Sequence, residues 1–185
     1  VAKKSIPSAI TADDRNAFAD EFEAELQGSV RAIVLVAGAM LDELLRRLLY
    51  KHFVEAPVSQ EILDGGPNAP LGSFSARIKM SFAIGLISEA EMKAIDAVRS
   101  IRNDYAHKLK SELMPETHAA KLQGPMDFVS SSGFTIATPA QHRTVNEANF
   151  KIAFIIVAMK LIALMTERLN GTDPTPGRGA HKPSL

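Results

Sequence analysis

Arg99, Arg102, Asn103 and His107 have the residue types and the spacing to do chemistry together. In a helix, residues four apart are surface neighbours, so Arg99, Asn103 and His107 form one polar strip with Arg102 beside it. An imidazole ordinarily titrates at about pH 6.5, so His107 can exchange a proton with a ribose 2′-hydroxyl or a leaving 5′-oxygen. Arg102 can stabilise charge developing on a phosphoryl group, with Asn103 orienting the imidazole or the phosphate. Chemistry of this kind at a phosphodiester needs no metal cluster. The same residues also suit a purely structural job, with His107 capping a helix end and Arg102 paired to an acid across the core.

The element that must position them is a helix predicted from Ser88 to Lys110. Ser88 followed by Glu91 is a capping box, in which each side chain satisfies a backbone donor that the first helical turn leaves open. Met92, Ile95, Val98, Ile101, Tyr105 and Leu109 fall in one apolar sector of this helix. Arg102 lies at the edge of that sector, where a guanidinium needs a partner. Asp42 and Glu43, on the preceding long helix, are the candidate structural partners, the alternative being that they pair with Arg46 and Arg47 along their own helix.

The rest of the chain reads as helices with polar ends. Residues 1–10 and 171–185 are expected to be disordered tails, and residues 11–170 a single domain. Thr11 to Leu26 reads as an acidic amphipathic helix carrying Phe18, Phe22 and Leu26 on one face. A long helix follows from Val30 to about Phe53, capped by Ser29 and apolar around its whole circumference between Ile33 and Leu41. After a loop with one short helix at Ser59 to Leu63, Ser73 can cap a helix from Phe74 to Leu86. Its first turn, with Arg77 and Lys79 just beyond, is a candidate phosphate-binding end, although the two cations lie on different faces.

Ser111 to Gln141 is the least regular region, with a short helix expected at Glu116 to Leu122. A hairpin of Asp127 to Val129 against Phe134 to Ile136 is expected after it. Thr144 with Glu147 reads as a second capping box, opening a last helix that Gly171 closes after Asn170. The apolar run from Ile152 to Met165 is shorter than a membrane span and interrupted by Lys160, so no membrane insertion is expected. His52, His118 and His142 read as solvent-exposed, and no metal site or cofactor is expected.

Composition narrows the function classes. The 185 residues include 21 Lys plus Arg and 21 Asp plus Glu, so any phosphate binding must come from a local patch. There is no cysteine to form a disulfide or a thiolate metal site, and no tryptophan to stack on bases. The first ten residues lack the long apolar core of a secretory signal, and the expected location is the cytoplasm. No helix-turn-helix, zinc-finger or basic-zipper pattern occurs, so direct sequence-specific reading of DNA is not expected.

The block Arg102-Asn103-Asp104-Tyr105-Ala106-His107 resembles the Arg-Asn-x-x-x-His signature of the HEPN superfamily of small helical domains, many of which cut RNA. A longer pattern resembles the mannitol operon repressor family. It comprises Leu41-Asp42-Glu43-Leu44-Leu45, the stretch from Pro70 to Lys79, Gly85-Leu86-Ile87-Ser88 and the Arg-Asn block. The resemblance implies an all-α, HEPN-like bundle of about five main helices with flexible termini. It also implies a regulator that lowers transcription of a sugar-alcohol uptake operon, acting through a protein or RNA partner. The wider superfamily implies the alternative, a metal-independent endoribonuclease with blocks from two subunits facing one cleft. The two all-round apolar helical segments favour a homodimer.

Overall fold

The computed structural model describes residues 29–66, 68–108, 115–132 and 144–171. Among these residues six α-helices run in the order α1 (Val30–His52), α2 (Pro57–Asp64), α3 (Phe74–Ala83), α4 (Glu89–His107), α5 (Pro115–Ser131) and α6 (Phe150–Asn170), with a 3-10 turn (Glu147–Asn149) before α6. Among the described residues there is no strand. The expected helix over 11–26 and the expected tails lie outside the described residues, apart from Gly171.

Ser29 starts α1 by accepting a hydrogen bond from the Ala32 amide at 3.2 Å. This helix packs against α3, α4 and α6, so it is the centre of the bundle. Its expected all-round apolar stretch is buried at Ile33, Val34, Ala37, Gly38, Met40 and Leu41, while Ala39 is exposed.

Three anchors fix the helix directions. At the far end of α1, the Lys51 ammonium donates to the Leu169 carbonyl at 2.7 Å, so α1 and α6 run parallel. A cation there also suits the negative end of the α6 dipole. At the opposite end of the bundle, the Arg31 guanidinium donates to the Tyr105 and Lys108 carbonyls, so α4 runs antiparallel to α1. A buried ion pair ties α4 to α6: Arg168 Nη2 donates to Glu91 Oε1 at 2.6 Å, with the side chains 5% and 3% exposed. Glu91 uses its other oxygen to accept from the Ser88 amide at 2.7 Å, so one carboxylate serves both the capping box and the interhelical pair.

Several sequence expectations are corrected. The short helix expected at Glu116 to Leu122 continues through Pro125 to Ser131, which replaces the first strand of the expected hairpin. Phe134 to Ile136 lie outside the described residues. His118, Ala119, Leu122, Met126 and Val129 are all buried, and their helical spacing supplies the packing that offsets the proline. His118 is 1% exposed rather than solvated. The last helix starts at Phe150; the capping pair before it is Asn146 with Asn149, not Thr144 with Glu147, and it opens the 3-10 turn that leads into α6. Gly171 ends α6 in the left-handed conformation, with φ at 74°, as its sequence position predicts.

The segment Glu147–Asn170 is long and apolar enough to cross a membrane by length and composition. Half of its most apolar window is buried in this bundle, including Phe154, Val157, Leu161 and Met165, although Ile152 and Met159 remain 46% and 43% exposed.

Candidate functional site

The polar block sits on the last two turns of α4. Ser88 fixes where the helix begins, and Ile95, Val98, Ile101 and Tyr105 seat one face in the core. That seating puts Arg99, Arg102, Asn103 and Asp104 at the partly buried margin and His107 on the exposed last turn. The chain leaves the helix at Lys108, whose backbone is extended, and Leu109 lies outside the described residues.

Arg102 crosses α1 at Gly38. A Cβ added to Gly38 would lie 2.7 Å from Arg102 Cγ and 3.1 Å from its Cβ, so the crossing needs glycine. Arg102 Nη1 donates to Asn103 Oδ1 at 3.0 Å, and its buried Nε has no hydrogen-bond partner among the described residues. The expected pairing with Asp42 or Glu43 does not occur. Asp42 instead accepts from Arg77 at 2.8 Å, and Glu43 holds Arg46 and Arg47, its neighbours three and four residues on. Arginines one turn along the same helix, and Arg77 on the neighbouring α3, occupy these acids ahead of a guanidinium that must reach across the α1–α4 crossing.

The candidate phosphate site at the start of α3 is likewise given other work. Ser73 Oγ accepts from the Ala76 amide, capping the helix. Arg77 is buried and donates to the Leu71 and Leu63 carbonyls as well as Asp42, while Lys79 is exposed on another side. Arg77 therefore joins α1, the loop after α2 and α3, and does not stand with Lys79 around an anion. Arg99 Nε donates to Asp96 Oδ1 at 2.7 Å, one turn back. Arg99, Asn103 and His107 share a row, but no hydrogen bond joins His107 to the others.

Beside the block lies a cluster that sequence reasoning did not anticipate. Asp104 receives Lys121 at 2.8 Å, Lys108 at 3.0 Å and His118 Nε2 at 3.2 Å. The Lys121 hydrogen bond, helped by Lys108 and His118, holds the Asp104 carboxyl far below the usual carboxylate range. Burial pushes the His118 imidazole below its ordinary pKa, outweighing the opposing pull of Asp104. Its ring lies 5.1 Å from that of Tyr105 and 6.1 Å from that of Phe150. Burial raises the Tyr105 hydroxyl pKa. The only advance signal was the helical spacing of His118 with Leu122, Met126 and Val129, which places the imidazole on an inward face.

Among the described residues, no three His, Cys, Asp or Glu side chains gather as metal ligands. An open apolar concavity of 590 Å³ lies elsewhere, lined by Phe53, Val54, Val58, Ile62, Leu71 and Met80. No protein-family model matches the chain, and no characterised protein or solved structure shows detectable similarity to it.

Proposed function

We propose that this protein is a regulator of the mannitol operon repressor type. It acts through a protein or RNA partner that docks on the Arg102, Asn103 and His107 edge of α4. The observation that carries this reading is the unneutralised charge of Arg102. Arg46, Arg77, Arg99 and Arg168 each meet a carboxylate, whereas among the described residues the one hydrogen-bond partner of Arg102 is the neutral amide of Asn103. A part-buried cation without an acid attracts a phosphate or carboxylate from outside. Arg102→Ala is expected to release repression of a reporter carrying a sugar-alcohol uptake operon while leaving the protein folded. Full repression by a folded variant would refute the reading.

A second reading, a metal-independent endoribonuclease of the HEPN kind, is favoured by the exposure of His107. That side chain has no hydrogen-bond or ion-pair partner among the described residues, so it is open to substrate. Incubation with mixed single-stranded RNA in EDTA separates the readings. Cyclic-phosphate ends produced by the wild type and lost in His107→Ala would establish cleavage, and intact RNA would leave the regulator.

The homodimer is part of the proposal. The exposed apolar residues Ile152 and Met159 on α6 support it, since an otherwise core-forming helix leaves them uncovered. Sedimentation of the wild type against Met159→Lys tests this, with loss of the dimer in the variant as the expected result.

A further inference from the structure

We infer that the contact between His118 and Asp104 is an acid-operated latch that holds α5 against the last turn of α4. The inference is independent of which partner the α4 edge takes.

His118 sits 1% exposed in a slot whose walls include Tyr105 and Phe150, so α4, α5 and α6 all meet there. Asp104 is ionised and can only accept, so the proton of the neutral ring is on Nε2 and is donated across 3.2 Å. Nδ1 is then a bare lone pair, buried and, among the described residues, without a hydrogen-bond partner. A buried acceptor without a donor is a modest penalty. A buried N–H on a charged ring without an acceptor is a far larger one.

The charges around the ring reinforce this asymmetry. From α4, Asp104 faces it as the single acid, while Lys108 already binds the same carboxylate. From α5 itself, Lys121 binds Asp104 through the oxygen that His118 uses and also reaches Ser100 Oγ at 3.0 Å. From α1, Arg31 adds a cation at the Tyr105 and Lys108 carbonyls. Tyr105 contributes a neutral ring, and α6 contributes the uncharged Phe150. A protonated His118 would therefore be one more cation on a carboxylate that two lysines already neutralise.

The closed state thus binds a proton poorly, whereas a ring released into water takes one up near its ordinary pKa. Acidification favours release by linkage, and the opening constant rises by up to about tenfold per pH unit below that pKa. Opening withdraws His118 and Lys121 from Asp104 and uncovers the side of the last α4 turn that faces α5, beside Asn103 and His107, while Arg31 keeps its hold on the Tyr105 and Lys108 carbonyls. Neutral pH keeps the latch closed.

The test uses the full chain between pH 8 and pH 5. The near-ultraviolet circular dichroism of tyrosine reads the Tyr105 environment, with Tyr105→Phe to separate it from Tyr50. Far-ultraviolet circular dichroism reads the helices. The expected result is a reversible change in the Tyr105 signal as pH falls below about 6.5, with helicity retained. Hydrogen-exchange protection of the α5 amides should fall in step. His118→Gln, which keeps a donor for Asp104 and cannot titrate in this range, is expected to show no transition, and His118→Phe provides a second non-titrating chain if that variant folds poorly. A Tyr105 signal unchanged down to pH 5, a transition that persists in a folded non-titrating variant, or loss of all helicity in a single step would each overturn the latch.

Discussion

Gly38→Ala offers a direct test of the packing that holds Arg102. On an isolated helix this change would stabilise α1 by about 1 kcal/mol, because alanine has the better helix propensity. Here the new methyl would stand 2.7 Å from Arg102 Cγ, 3.1 Å from its Cβ and 3.6 Å from its Cδ. Those atoms lie at the root of the side chain, where the α4 backbone sets their position, so the arginine cannot simply swing its tip aside. Either the two helices part, or Arg102 changes rotamer and loses its bond to Asn103. Overpacking of this kind costs about 1 to 3 kcal/mol, and the rigid root of the side chain favours the upper end. The expected net effect is therefore a loss of about 2 kcal/mol, read as a lower urea midpoint at unchanged slope. In an Arg102→Ala background the Cγ is gone and only the 3.1 Å approach to Cβ remains, so Gly38→Ala should become close to neutral, giving a coupling of about 2 kcal/mol in a double-mutant cycle. A single Gly38→Ala variant more stable than the wild type, or additive effects in the cycle, would show that Arg102 does not lie across Gly38 as described.

Other outcomes follow from the buried charges. Glu91→Ala should cost about 3 to 5 kcal/mol in chemical denaturation, because it removes the carboxylate that faces the buried Arg168 guanidinium as well as opening the capping box. A loss of only about 1 kcal/mol would match the cap alone and would refute the pair's importance. Arg77→Ala should destabilise the fold without changing phosphate affinity, since its guanidinium is occupied by two carbonyls and Asp42. A folded variant with weakened phosphate binding would restore the site expected at the start of α3. For Asp104, the folded pKa lies below its ordinary value, so its contribution is full above the unfolded value and is lost as pH falls through the folded one. Asp104→Asn should accordingly lose stability at neutral pH and show a shallower acid decline than the wild type, measured by thermal melts across pH.

The local physics of this chain was readable from residue order. Ser29, Ser73, Ser88 and Gly171 mark helix ends because the groups they satisfy lie within four residues of them. Ile95, Val98, Ile101 and Tyr105 announce a buried face because side-chain direction follows the helical repeat. The passage of α5 through Pro125 was less legible, since Gly124 and Pro125 are local breakers and the force that overrides them is the burial of Leu122, Met126 and Val129 against other helices. Partner choice was decided by tertiary structure. Asp42 stands near Arg102 in a reading of residue types, yet the fold brings Arg77 to it and gives Arg102 a glycine to lie across and an amide to hold. Likewise His118 and Asp104 are fourteen residues apart, and nothing local marks them as a pair. Charge and hydrogen-bond partners are set by distances in space, which depend on how whole helices cross, whereas caps and apolar faces depend on neighbours a few bonds away.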